Sequence, residues 1–296
     1  MKLAYYPGCS LLSTSAEYAH SAESVLEALG VELDEVKDWV CCGATPAHAT
    51  SHLLGISLPA ITLAAAQKQG HNSVVTCCAA CYSRLKQAGA EMDANSALLD
   101  EVNGIIEEKY TGGVTVLHLL ELLNHHIGLD AVRAKITRPL AGLKVACYYG
   151  CLISRLPEKL RIDKVEYPTL MDSLLTAAGA EVVDWPFKTE CCGAALTLAR
   201  QDIVVRLSGR IIEMAKECGA DVIAVVCPLC QANLDMYQSD AESKLGRALG
   251  VPVLFFTQLL GLAMDVPREK LGLEKIIVDP IPIFAGKGLV EGSQLL

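Results

Sequence analysis

The sequence predicts an α/β fold made of two tandem, homologous α/β domains with largely parallel sheets, related by a pseudo-twofold. Three observations carry that reading. Four short markers occur twice in the same order, strand-like and helix-like segments alternate within each half, and each cysteine motif follows directly on a strand-like run.

The markers are specific. Tyr5-Tyr6-Pro7-Gly8-Cys9 is echoed by Cys147-Tyr148-Tyr149-Gly150-Cys151, and Cys41-Cys42-Gly43-Ala44 by Cys191-Cys192-Gly193-Ala194. The run from Ser73 into Cys77-Cys78-Ala79-Ala80-Cys81 is echoed by the run from Asp221 into Cys227-Pro228-Leu229-Cys230. Val116-Leu117 with Glu121-Leu122-Leu123 is echoed by Val253-Leu254 with Gln258-Leu259-Leu260. The domains are then 1–138 and 139–265, followed by a tail, 266–296. The offset between markers varies, which places an insertion in the second half near Ser154–Leu170. An extra stretch in the first half, within Tyr82–Gly113, reads as a longer helix around Glu91–Glu108.

Within the first half, Lys2–Tyr6, Val31–Val36 and Asn72–Thr76 read as strands. Glu17–Leu29 and Pro59–Gln69 read as helices closed by Gly30 and Gly70, and Cys81–Ala88 as a helix start. In the second half, Leu143–Tyr148, Glu181–Asp184 and Asp221–Val226 read as strands, and Leu170–Ala178 and Gln201–Cys218 as helices. In such parallel α/β arrangements, ligands bind beyond the carboxyl ends of the strands.

The 296 residues are 52% hydrophobic and 20% charged, with a net charge of −9. That composition excludes a disordered chain. The acidic balance, 5% aromatic content and lack of a basic stripe argue against nucleic acid as a partner. Mean hydropathy is +0.34, yet no apolar run reaches the ~18 residues needed to cross a bilayer. The excess of apolar residues is expected to lie partly under partner subunits. The amino-terminal run reads as a strand, not a secretion signal, so a cytoplasmic location is expected.

Thirteen cysteines are the outlier. In a reducing compartment so many are metal ligands or redox groups rather than structural disulfides. Ten pair across the repeat: Cys9 with Cys151, Cys41 with Cys191, Cys42 with Cys192, Cys78 with Cys227, and Cys81 with Cys230. Cys77, Cys147 and Cys218 have no counterpart and read as small buried apolar residues. Each half thus offers one Cys-x-x-Cys, one vicinal pair and one distant cysteine. Five thiolates exceed a tetrahedral zinc site, and an ordinary cubane takes four, so an iron–sulfur cluster with a bridging thiolate fits best. Zinc in one half and a thioredoxin-like pair stay open as alternatives. Gly8, Gly43, Gly150 and Gly193 beside the cysteines would remove side-chain bulk and offer N–H groups to sulfur.

Cysteines at this spacing, twice in one chain, resemble the tandem cysteine-rich "CCG" domains of the heterodisulfide reductase B subunit. The resemblance spans Lys2 to about Met264. It implies a noncubane [4Fe–4S] cluster in each half. Cys9, Cys41, Cys42, Cys78 and Cys81 would hold one, and Cys151, Cys191, Cys192, Cys227 and Cys230 the other. It further implies reductive cleavage of the coenzyme M–coenzyme B heterodisulfide, or a related disulfide, between the clusters. Electrons would come from the ferredoxin-like and flavin-bearing subunits of the heterodisulfide reductase complex, its C and A components. The chain carries no Gly-x-Gly-x-x-Gly fingerprint of its own, which agrees with an external donor. The wider CCG family offers a second reading, an electron-transfer component of a lactate-, glycolate- or succinate-type oxidoreductase, and the cysteines a third, a zinc-binding scaffold without a redox role.

Candidates among the other residues are few. Arg84, Arg155 and Arg200 follow the cysteines closely and could meet an anionic substrate, though surface arginines are commonly solvated or paired. His48, six residues past Cys42, could donate a proton to a leaving thiolate or simply pack. His125-His126 ends a leucine-rich helix. In the tail, the apolar run Ile276–Phe284 reads as a strap across a partner or the other half.

Overall fold

The computed structural model describes residues 1–290. Two four-stranded, wholly parallel sheets form its frame. The first contains β1 (Lys2–Tyr5), β2 (Glu32–Glu35), β3 (Ser73–Thr76) and β4 (Thr115–His118), in spatial order β2-β1-β3-β4. The second contains β5 (Lys144–Tyr148), β6 (Glu181–Val182), β7 (Val222–Val225) and β8 (Val253–Phe255), in the same order, β6-β5-β7-β8. The inner strands are covered on both faces and are accordingly Val- and Ala-rich; β7 is buried at every residue. Edge strand β2, Glu-Leu-Asp-Glu, keeps acidic side chains at the rim, which discourages pairing with another sheet.

Helices Ala16–Ala28, His52–Lys68 and Ala79–Ala94 link successive strands of the first sheet, and Leu170–Ala177, Gln201–Glu217 and Pro228–Met236 those of the second. Three sequence expectations need correction. The helix expected at Pro59–Gln69 starts at His52, because the Ser51 hydroxyl caps it by accepting from Leu54 N–H at 3.4 Å. Pro59 lies inside it, and burial of Ala60 and Leu63–Ala66 offsets the lost hydrogen bond. The extra stretch of the first half is not one long helix. Asn95 ends the helix Ala79–Ala94 and caps a second, Ser96–Asn103, through its side-chain oxygen. Finally, β4 and β8 complete sheets for which the sequence suggested three strands each.

The halves pack reciprocally. Helix Ala16–Ala28 of the first lies on helix Phe256–Ala263, which follows β8 of the second. Helix Leu170–Ala177 of the second lies on the turns Leu119–Glu121 and Leu122–Gly128, which follow β4 of the first. Exchange of equivalent surfaces in this way is what a pseudo-twofold requires. The contact is buried and partly aromatic, with Tyr18 stacked on Phe255 at 4.0 Å between ring centres.

The tail, as far as residue 290, straps both halves of its own chain. Gly272 presses on Glu17, and Gln258 donates to the Leu271 carbonyl. The Asp235 carboxylate accepts from Ile277 and Val278 N–H, and Phe284 is fully buried.

Candidate functional site

In both sheets the thiols gather at the carboxyl ends of the two central strands. The chain leaves β1 into Pro7-Gly8-Cys9 and β3 into the Cys78–Cys81 motif, and these strands are neighbours. β5 and β7 deliver Cys151 and the Cys227–Cys230 motif in the same way. Strand order reverses at this junction, so the loops diverge and leave room for a ligand. The loops after the outer strands β2 and β6 bring in the vicinal pairs.

Distances show convergence within each half. Cys42 Sγ lies 3.6 Å from Cys81 Sγ, and Cys41 Sγ 3.8 Å from Cys9 Sγ. In the second half Cys192 Sγ lies 3.5 Å from Cys230 Sγ, and the Cys151 and Cys191 thiols also meet. Cys42, Cys78, Cys81, Cys192, Cys227 and Cys230 are buried, Cys9, Cys41 and Cys191 are exposed, and Cys151 is half-buried. Each site therefore has a buried floor and an open mouth. The Cys78 and Cys227 thiols are near enough to influence each other electrostatically, so the two floors adjoin at the pseudo-twofold. Among the described residues, no three of these side chains close on a single-ion position.

The glycines show why the backbone must be bare here. A Cβ on Gly8 would stand 2.8 Å from Cys81 Sγ, and one on Gly150 3.0 Å from Cys230 Sγ; both residues have positive φ, +70° and +69°. Gly43 and Gly193 act differently: a Cβ there would strike Ala47 and Leu58, or Val204 and Leu207, which pack the turn after each vicinal pair. Gly193 N–H does point at Cys191 Sγ, at 3.3 Å.

Two tyrosines have structural tasks that the sequence alone did not reveal. The Tyr6 ring lies beneath Gly8, and its hydroxyl donates to the Val40 carbonyl at 2.9 Å. Tyr148 repeats this beneath Gly150, donating to the Glu190 carbonyl at 2.7 Å. Each ties the loop after the first strand to the residue preceding the vicinal cysteines. Their presence in the repeated marker was the available signal.

Electrostatics favour thiolate at Cys42 in the first set and at Cys191 and Cys227 in the second, Cys227 chiefly through its bond with Cys230. The bond to Cys81, backbone N–H donation and the Arg84 charge bring Cys42 down to about 7 despite burial. The bond to Cys151, Gly193 N–H and the Arg155 charge bring Cys191 down to about 6. Arg84 and Arg155 therefore stand by the thiols. Arg84 Nε is buried without a hydrogen-bond partner, whereas Arg155 also reaches the Thr189 carbonyl. Arg200 is instead paired with Asp202 at the surface, and His48 is exposed against Gly55. Of the unpaired cysteines, Cys77 is buried just past the end of β3, Cys147 is buried within β5, and Cys218 lies against Met214.

The cysteine-rich domain family designated CCG matches residues 3–86 and again 145–235. The chain belongs to this family. It is 33% identical to the 8-methylmenaquinol:fumarate reductase membrane anchor subunit of Wolinella succinogenes, over 94% of this chain and 97% of that protein. It is 27% identical to the B subunit of a ferredoxin/F420H2-dependent CoB–CoM heterodisulfide reductase of Methanosarcina acetivorans, covering 96% of each. The fold is shared with a hypothetical protein from Helicobacter pylori, with a TM-score of 0.73 and 16% identity over 92% of this chain and 51% of that one. Although one relative is named a membrane anchor, no helix among the described residues is long and apolar enough to cross a membrane.

Proposed function

We propose that this chain is the iron–sulfur subunit of a multisubunit oxidoreductase that reduces a disulfide of the coenzyme M–coenzyme B type. Each half would hold one noncubane [4Fe–4S] cluster, the first through Cys9, Cys41, Cys42, Cys78 and Cys81, the second through Cys151, Cys191, Cys192, Cys227 and Cys230. The observation that carries the proposal is the duplicated five-thiol set with adjoining buried floors. The bare backbone at Gly8 and Gly150, which a Cβ would fill, fits a group seated against Cys81 and Cys230. The units we assign are 1–138 and 139–265, with 266–296 as the C-terminal tail.

Bound clusters would supply electrons one at a time, and two adjacent clusters match the two-electron demand of a disulfide. The chain's own residues have distinct tasks. Arg84 and Arg155 place positive charge beside the thiolates, where it also favours an anionic disulfide. Tyr6 and Tyr148 hold the cysteine loops in place. Leu12, Leu198 and Leu229 are exposed close in sequence to Cys9, Cys192 and Cys230, and suit the docking of an electron-donating partner. We assign that role to a ferredoxin-like heterodisulfide reductase subunit, the C component, fed by the flavin-bearing A component, in the cytoplasm.

An anaerobic assay of the cluster-loaded complex with reduced viologen and the coenzyme heterodisulfide tests the substrate. Thiol release is expected, and absence of turnover rejects it. The 33% identity to a fumarate reductase subunit supports a second reading, electron transfer within a quinol–fumarate type of complex. Viologen-linked fumarate reduction by the same purified complex, without disulfide turnover, would favour that reading.

A further inference from the structure

Between the two thiol sets lies a buried polar contact that the duplicated cysteines do not account for. Tyr18, on helix Ala16–Ala28 of the first half, is completely buried. Its hydroxyl donates to the Cys77 carbonyl at 2.9 Å and also lies 3.3 Å from the Val226 carbonyl. These two carbonyls are equivalent in the repeat. Each follows the third strand of its sheet and directly precedes the first cysteine of a Cys-x-x-Cys motif, Cys78 or Cys227. One hydroxyl proton is thus shared, as a three-centre bond, between the backbones of both motifs.

The ring cannot easily leave this position. Phe255 stacks on it at 4.0 Å with planes 7° apart, and Phe256 meets it edge-on at 6.3 Å. One turn further along the helix, the Ser21 and Thr257 hydroxyls join the halves at 2.7 Å.

The surroundings of the shared proton are not symmetric. In the first half His118 accepts Leu120 N–H at Nδ1, so its Nε2–H donates to the same Cys77 carbonyl, at 2.8 Å. His118 stands at the end of β4, in register with Thr76, and the matching place in β8, in register with Val225, is held by Phe255. An apolar ring has no proton to give, so Val226 depends on Tyr18 where Cys77 has a second donor.

We propose that Tyr18 is a positioning residue shared by both cysteine sites: its single hydroxyl fixes the two Cys-x-x-Cys loops relative to each other and thereby sets the spacing of the groups they hold. The proposal rests on the reading that each half holds a cluster.

The test uses the full-length, anaerobically loaded chain carrying Tyr18→Phe. The clusters are read separately by redox-titrated electron paramagnetic resonance in Cys192→Ala and Cys42→Ala backgrounds. Loss of the shared proton leaves the Val226 carbonyl dipole uncompensated and the Cys77 carbonyl with one donor, His118, in place of two, beside anionic sites. Both midpoint potentials are therefore expected to fall while iron content and circular dichroism match the unsubstituted chain. His118→Phe is expected to move the first site alone, and Ser21→Ala, which severs a cross-half bond without touching the loops, to move neither. Should Tyr18→Phe fail to load, 3-fluorotyrosine at position 18 keeps the ring and strengthens the donor, and both potentials should rise. A change confined to one site, or none at either, overturns the inference. A wild-type chain that binds no iron overturns the cluster reading itself, and this inference with it.

Discussion

Gly8 and Gly150 make the clearest prediction at the scale of single residues. Alanine at either position meets a cysteine sulfur at 2.8 or 3.0 Å and must also adopt a left-handed backbone, which alone costs about 1–2 kcal/mol. Gly8→Ala should lower iron loading by about half, with the second site intact, and Gly150→Ala should do the converse. Gly30→Ala is the control: its φ is +74°, but a Cβ there meets nothing within 4 Å, so iron content should be unchanged. A second prediction concerns His118. Complete burial holds its pKa down at about 4, against an ordinary 6.5. As pH falls below 6.5 the unfolded chain takes up a proton that the folded site resists until about 4. The stability is therefore present above this window and lost through it, on the order of 3 kcal/mol in all. Denaturant midpoints at pH 7 and pH 4.5 should diverge less in His118→Phe than in the unsubstituted chain. At this scale the cysteines were legible because duplication separated ten from thirteen. The tasks of Tyr6 and Tyr148 were not, because each acts on a carbonyl 34 or 42 residues further along the chain.

Among the secondary-structure elements, strands and helices with a clear period and a terminal glycine were legible, Ala16–Ala28 and Gln201–Glu217 among them. Those that depend on their neighbours were not. β4 and β8 are three or four residues long and run straight into leucine-rich helical segments, so only the sheet beside them defines them as strands. The turn Leu122–Gly128, which carries His125-His126, is π-helical, a state that periodicity does not reveal. The end of the second half's insertion is tied to the domain by Lys188, whose Nζ donates to the Pro168 carbonyl at 3.2 Å and also pairs with Asp172. Lys188 is 2% exposed and Asp172 17%. Removing one partner strands the other charge, so Lys188→Met should cost about 3 kcal/mol, measured as a lowered denaturant midpoint. A loss below about 1 kcal/mol would show that water already relieves the pair.

Across the whole molecule, the repeat told of two halves but not of how they meet, because the contact joins Tyr18 to Phe255 and Ser21 to Thr257 across more than 230 residues. Interlocked helices and a tail crossing both halves make them one cooperative unit. Trp39 reports on the first half and Trp185 on the second. Trp39→Phe and Trp185→Phe variants should therefore unfold at the same denaturant concentration, whichever tryptophan remains; separate transitions would mark the halves as independent. The central claim is that five thiolates in each half hold a cluster, and it is tested most directly by iron, zinc and acid-labile sulfide determined per chain on anaerobically purified, full-length protein. Two clusters predict about eight iron and about eight sulfide. Zinc without labile sulfide would contradict the claim.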